Sequence, residues 1–142
     1  MSATIALDVA LKSPIEQVWH ALTDPATLSK WMMFETRDFR AVVGHTFQFR
    51  MQPDPNWAVI VDCEVLVVDE PHRLSYTWVV ESQSHHTTVT WTLTETEDGG
   101  TRLHLEQSGF HQEAKQEIGG AKGGWTQMLK QLQELLASET TR

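Results

Sequence analysis

The sequence predicts an α+β fold in which a curved antiparallel sheet wraps around a long C-terminal helix, with two short helices after the first strand. Three observations support this prediction. Apolar residues recur at helical spacing from Ala121 to Ala137. Apolar and polar residues alternate from about residue 35 to residue 107. Two helix-start signals follow the first alternating run. This order is typical of an antiparallel sheet that is covered by helices on one side.

The first predicted elements are one strand and two helices. Residues 4–11 alternate, which predicts a strand with one apolar face. Ser13 is a predicted N-cap before a proline, and Glu16 completes a capping box, so a helix should follow. Asp24 precedes another proline and predicts the start of a second short helix.

The middle of the chain reads as a series of strands that are joined by polar turns. A weaker strand is predicted from Thr36 to Arg40, ahead of the main series. The turn at residues 97–99 is predicted to be a three-residue hairpin loop with Gly99 in the left-handed conformation. Matching the apolar faces places two rows of residues side by side on the inner face. One row is Val65, Tyr76, Trp91 and Leu105, and the next is Phe47, Cys63, Trp78, Val89 and Gln107.

The C-terminal helix is the strongest element in the pattern. Its apolar face consists of Trp125, Met128, Leu129, Leu132, Leu135 and Leu136. Gly119, Gly120, Gly123 and Gly124 precede this face, and each costs a helix interior about 1 kcal/mol relative to alanine. The helix therefore begins late, or its first turns are loose. We predict that the segment from Gln112 to Gly124 is a mobile lid over one mouth of a pocket. The alternative is a snug contact of small residues that does not move.

Composition bounds the class of protein. The 142 residues suit a single domain spanning 1–142, and a net charge of −8 without a basic cluster argues against nucleic-acid binding. No apolar run is long enough to cross a membrane, so no membrane partner is predicted. Cys63 has no second cysteine to pair with, which fits a reducing compartment. A cytoplasmic location is therefore expected.

The sequence offers little for catalysis or metal binding. A Gly-x-Ser-x-Gly elbow, a phosphate-binding glycine loop and a His-Glu-x-x-His pair are all missing. The predicted register places His85 opposite His111, but two imidazoles without a nearby carboxylate or thiolate make a poor metal site. No metal site, cofactor or catalytic residue is predicted. Glu35, Arg37, His45, Tyr76 and Gln107 are the polar groups that are expected to converge on a cavity.

Several stretches of the chain are similar in sequence and order to one known family. They are PIEQVWHALTDPATLSKWM, DFRAVVGHTFQFRM, PHRLSYTW, TTVTWTL, GTRLHLEQSGF and GGWTQMLKQLQELL. They resemble the activator of heat-shock protein 90 ATPase homologue family of the START-like superfamily, whose central hairpin more usually has two glycines where this chain has Val43-Gly44. The resemblance covers nearly the whole chain and implies the helix-grip fold.

The resemblance also implies a function, because members of that superfamily bind apolar small molecules between helix and sheet. The predicted partner is therefore an apolar or aromatic small molecule. Its expected site is lined by Trp31, Phe47, Phe49, Cys63, Tyr76, Trp78, Trp91, Gln107, Trp125 and Met128. One alternative is a cyclase or hydrolase that uses the same cavity. Another is an interaction protein, such as a chaperone accessory in a stress response. A weak homodimer is a further hypothesis.

Overall fold

The architecture is that of one antiparallel sheet and three helices. The computed structural model describes residues 2–32, 34–36, 38–80 and 86–140. Its elements in chain order are β1 (Ser2–Leu11), α1 (Ile15–Thr23), α2 (Pro25–Trp31), β2 (Thr46–Asp54), β3 (Trp57–Asp69), β4 (Arg73–Val80), β5 (His86–Glu95), β6 (Thr101–His111) and α3 (Lys115–Thr140).

The six strands form one sheet in the order β1-β6-β5-β4-β3-β2. Every neighbouring pair is antiparallel, and β1 lies beside β6 with Leu7 opposite Leu105. The segment that contains α1 and α2 carries the chain from β1 to β2, at opposite edges of the sheet. The predicted α+β helix-grip fold is confirmed. None of the helices in the described part of the chain has the length and apolar character that a membrane crossing needs.

The core lies between the inner face of the sheet and the second half of α3. All but one of the apolar residues predicted for the helix face are fully buried, and Leu135 is partly buried against the same cluster. Leu132, at the centre of that face, has no exposed surface. This burial supplies most of the free energy that holds α3 on the sheet, because the free energy gained scales with the apolar area removed from water.

The two short helices begin close to the predicted positions. The side chain of Asp24 caps α2 by accepting hydrogen bonds from the backbone N–H of Thr27 (3.0 Å) and from its hydroxyl (2.6 Å), as the sequence predicts. The predicted cap of α1 is wrong. Pro14 occupies the N-cap position in an extended conformation, and Ser13 lies one residue outside the helix, where its carbonyl accepts a bond from the Thr101 hydroxyl (2.8 Å).

Most of the predicted strand register is confirmed. Trp91 lies opposite Leu105, Val65 opposite Tyr76 and Phe47 opposite Cys63. The pairing of β4 with β5 is wrong by two residues, because Tyr76 faces Val89 instead of Trp91. Among the described residues, the pair of these two strands nearest to their connection is Val79 with His86. Gln107 therefore joins the row of Tyr76 and Val89.

Two further predictions need correction. Instead of a strand from Thr36 to Arg40, the described residues contain a single bridge between Glu35 and Arg50, and Phe39 is buried against the aromatic core.

The C-terminal helix does not begin late, because α3 starts at Lys115 and includes the glycines. A Cβ added at Gly119, Gly120 or Gly123 would meet no atom within 4 Å, so these three glycines do not make the snug contact. The mobile lid stays a prediction.

The hairpin between β5 and β6 provides a test of backbone strain. Gly99 has φ of +84°, and a Cβ there would meet no atom within 4 Å. Replacing it with valine should therefore destabilise the protein through the backbone alone, by about 1 kcal/mol or more. Urea denaturation measures the loss. Gly99→Asn is the matched control and should lose less, because asparagine tolerates the left-handed region better. Equal losses in the two variants would contradict this explanation.

Candidate functional site

The structure brings the predicted site residues together in one buried cluster. Trp31, Phe49, Tyr76 and Trp91 are almost completely buried, and the most exposed member of the set, Trp78, has 7% of its surface accessible. The other members, all at least 95% buried, are Phe47, Cys63, Gln107, Trp125 and Met128. All ten side chains therefore belong to the buried interior of the protein.

Most of these aromatic rings pack against each other. Trp91 lies between Trp31 (ring centroids 5.9 Å apart) and Trp125 (5.5 Å), with its ring nearly perpendicular to both. Trp78 contacts Trp125 at 5.1 Å, and Phe49 contacts Trp78 at 5.3 Å. Such distances and angles are those of favourable aromatic contacts. In this structure the greater part of the predicted site is thus a packed aromatic core.

A hydrogen-bonded chain crosses the core and joins α3 to three strands. The indole N–H of Trp125 donates to Oε1 of Gln107 (2.7 Å), and Nε2 of Gln107 donates to the hydroxyl of Thr87 (2.9 Å). Thr87 in turn donates to the carbonyl oxygen of Trp78 (2.6 Å). Gln107 was predicted as a polar anchor for a ligand, but its carbonyl oxygen and one amide hydrogen already bind protein groups.

Tyr76 and Cys63 are also held inside the protein as neutral groups. The indole N–H of Trp91 donates to the hydroxyl oxygen of Tyr76 (2.9 Å). Burial is the main cause that raises the pKa of Tyr76 above its usual range, and burial likewise raises the pKa of the Cys63 thiol. A protonated thiol is a poor nucleophile. For both groups, burial thus disfavours the charged form, which is the thiolate of Cys63 and the phenolate of Tyr76.

A cleft of about 370 Å³ lies next to the packed core, between the sheet and the first turns of α3. Two of the predicted site residues, Trp78 and Gln107, line it. The remaining lining residues were not named as site residues from the sequence, although four of them fall in the segment that was predicted as a lid; they are Val80, Thr87, Phe110, Gln116, Glu117, Gly120 and Ala121. We call this space the Trp78 cleft. Residues 116, 117, 120 and 121 lie on one face of a helix, and this spacing could have identified the side of the cleft that α3 forms.

Three of the other polar groups that were expected to converge on a cavity, Glu35, His45 and Tyr76, are not among the residues that line the Trp78 cleft. Glu35 is exposed, and a ring nitrogen of His45 bonds with the carbonyl of Asp38. Arg37 lies outside the described residues. His85 lies outside them as well, so the predicted position of His85 opposite His111 is not described. Among the described residues, no group of three or more His, Cys, Asp or Glu side chains is arranged to hold a metal ion.

The outer face of the sheet carries a separate charged cluster. Nδ1 of His104 lies 2.9 Å from a carboxylate oxygen of Asp8, and its Nε2 lies 3.0 Å from Glu106. These bonds, with Glu106 first, raise the pKa of His104, and the bond from His104 lowers the pKa of Asp8. The cluster lies on the opposite side of the sheet from the Trp78 cleft. Its position indicates that it links β1, which contains Asp8, to β6, which contains His104.

The hydrogen-bonded chain yields a stability prediction. Gln107→Leu should cost about 1–3 kcal/mol, because the buried N–H of Trp125 loses its acceptor. The free energy of unfolding measures the effect. The same substitution at exposed Gln133 on α3 is the control and should change stability by less than about 0.5 kcal/mol. A loss at Gln107 no larger than at Gln133 would contradict the role given to this chain.

The comparisons with known proteins agree with this geometry. The family model described as Activator of Hsp90 ATPase homolog 1-like protein matches residues 12–137. The chain is similar to protein MLL2253 from Mesorhizobium loti, with 38% identity and a TM-score of 0.84, over 96% of this chain and 98% of that one. None of the curated proteins compared with the chain matches it.

Two further solved structures are similar over most of the chain. Protein CV1439 from Chromobacterium violaceum is 26% identical, with a TM-score of 0.82, and the match covers 94% of this chain and 96% of that one. CalU16 from Micromonospora echinospora is 27% identical, with a TM-score of 0.75, over 99% of this chain and 80% of that one. The similarity therefore extends over the sheet and all three helices.

Proposed function

The chain belongs to the Activator of Hsp90 ATPase homolog 1-like family, and from this premise we propose that it binds an apolar or aromatic small molecule between the sheet and α3. The observation that supports this most is the Trp78 cleft. Its volume of about 370 Å³ falls in the range of roughly 300–1,000 Å³ that small-molecule sites occupy. The cleft also lies between the sheet and α3, and the resemblance implies a ligand between these two layers.

The composition of the cleft suits such a ligand. Trp78, Val80 and Phe110 supply an apolar wall, and Thr87 and Gln107 supply a small polar region at its back. Ligand sites typically combine a largely apolar lining with a few polar groups that fix orientation. The packed core behind Trp78 gives this wall a rigid support, which lowers the entropy lost on binding. We assign the chain no cofactor and no catalytic residue, and turnover of a ligand would favour the cyclase or hydrolase alternative.

We also propose that the protein acts in the cytoplasm. Cys63 is a free and buried thiol. A reducing compartment keeps such a thiol from oxidation.

A pair of glycine substitutions tests the ligand site. Gly120 lines the cleft and has open space where a side chain would stand, so Gly120→Leu should fill the cleft without a clash. A panel of small aromatic compounds is screened by thermal denaturation. A binding compound at one hundred times its Kd should raise the Tm of the wild type by about 5–10 °C. Gly120→Leu should remove most of that shift.

Gly119→Leu is the matched control. Gly119 also has open space around it, but it is not among the residues that line the cleft. Both variants should be as stable as the wild type or more stable, because leucine favours a helix over glycine by about 0.5–1 kcal/mol. A full ligand shift in Gly120→Leu would contradict binding in the cleft. A panel that shifts neither the wild type nor the control would contradict the proposed function.

A second candidate function is contact with a chaperone, and an exposed apolar patch favours it. Val42 and Val43 are 59% and 61% exposed, and Leu66 and Val67 on β3 are 40% and 39% exposed. Backbone hydrogen bonds from Gly44 to Val65 (2.8 Å) and from Val65 to His45 (2.9 Å) hold the two segments together. Apolar side chains that are grouped on a surface often mark a protein contact.

The patch is tested through its effect on a purified Hsp90. If the patch binds the chaperone, adding the protein should change the ATPase rate of Hsp90, and the double variant Val43→Asp with Leu66→Asp should lose most of that effect. Gly120→Leu is the control, and it should keep the effect because Gly120 lies in α3, outside the patch. An ATPase rate that the wild-type protein leaves unchanged at saturating concentration would contradict this candidate.

A further inference from the structure

We propose that the Trp78 cleft selects ligands in which a positively charged amine is attached to an aromatic or aliphatic body, and that Glu117 binds the charge. This inference rests on the proposed function, because it names the class of ligand for the same cleft. Among the described residues that line the cleft, Glu117 is the one ionisable side chain. It is half-buried in the first turn of α3. The lining therefore offers a negative charge without a basic residue beside it.

The apolar wall of the cleft adds to the attraction for a cation. Trp78 and Phe110 line the same space as Glu117, and Trp78 keeps 7% of its surface exposed. The face of an aromatic ring carries negative electrostatic potential and attracts ammonium groups, most strongly at tryptophan. A carboxylate and aromatic faces that border one space form a recognisable site for an amine, since the ring body of the ligand can pack on Trp78 while its charge meets Glu117.

The back of the cleft is better suited to hydrogen-bond donors than to acceptors. The hydroxyl hydrogen of Thr87 is used by the carbonyl of Trp78, and one amide hydrogen of Gln107 is used by Thr87. The oxygens of both side chains have a second lone pair, so they can still accept. An ammonium group carries donors and no acceptor, which matches this arrangement. A ligand carboxylate could use the second amide hydrogen of Gln107, but it would be repelled by Glu117.

The charge of the whole chain acts in the same direction. With a formal net charge of −8, the protein attracts cations and repels anions over several ångströms. This long-range field does not choose between the cleft and the rest of the surface. Glu117 supplies the local charge, and the proposal therefore predicts that the preference for an amine depends on this residue in particular.

Three probes that share one ring test the proposal. They are 2-naphthylmethylamine, 2-naphthylmethanol and 2-naphthoate, which carry a positive, a neutral and a negative group at neutral pH. Quenching of tryptophan fluorescence and thermal denaturation report their binding. The wild type should bind the amine about tenfold more tightly than the alcohol, and the carboxylate most weakly, because an ion pair and a cation–π contact are added. Glu117→Gln should reduce the preference for the amine to about twofold or less.

Glu134→Gln is the matched control, since Glu134 is exposed on α3 and does not line the cleft. It removes the same charge and should leave the preference unchanged. Equal affinity of the wild type for amine and alcohol would overturn the amine proposal while the proposed function stands. A preference that survives in Glu117→Gln would overturn the role of Glu117. Failure of all three probes to shift the Tm of the wild type, in a panel that yields no other ligand, would overturn both the amine proposal and the proposed function.

Discussion

The hydrogen bonds that run from Trp125 through Gln107 and Thr87 to the carbonyl of Trp78 determine how the long helix lies on the sheet. They connect α3 with β6, β5 and β4 at the centre of an otherwise apolar interface. Apolar burial is not directional, so burial alone would allow the helix to slide or turn. A buried polar chain must be fully paired, and displacing the helix would leave the N–H of Trp125 without its acceptor.

The hydrogen bond from Trp125 lies between two parts of α3 that have different structural roles. From Trp125 onward the helix is held by buried residues such as Met128 and Leu132. Before Trp125 it contributes Glu117, Gly120 and other residues to the Trp78 cleft, and its glycines leave space beside the backbone. One element thus supplies both the packed core and the wall of the proposed ligand site. The boundary between the two parts lies near Trp125, which donates a hydrogen bond to Gln107.

The sequence predicted the features that depend on local pattern and on which face of the sheet each residue of a strand occupies. The left-handed Gly99 was predicted because only a three-residue loop keeps the apolar residues of both strands on one face. The cap at Asp24 was predicted because a proline follows it. The register of β4 with β5 could not be predicted in the same way. A shift of two residues keeps every apolar side chain on the inner face, so Tyr76 opposite Val89 and Tyr76 opposite Trp91 satisfy the pattern equally well.

The site was harder to predict than the fold for a related reason. Inward positions can be identified from alternation, which is why Trp78 and Gln107 were named. Whether an inward side chain packs or borders a space depends on how far the helix stands from the sheet. The helical spacing of residues 116, 117, 120 and 121 marks one face of α3, but it does not specify how far that face stands from Phe110 on the sheet. Alternation with Val89 and Trp91 puts Thr87 on the inner face, but its hydrogen-bonding role depends on having Gln107 and the carbonyl of Trp78 within reach.

The open surroundings of Gly119, Gly120 and Gly123 have a consequence for the history of such a chain. A Cβ added at any of these positions would meet no atom within 4 Å, and replacing the glycine would also improve the helix. A mutation at Gly120, which lines the cleft, can reshape it without a loss of stability that would remove the variant from a population. Ligand preference can therefore drift by single substitutions while the aromatic core is preserved. A scaffold of this kind can evolve new specificities and pass through stable intermediates at each step.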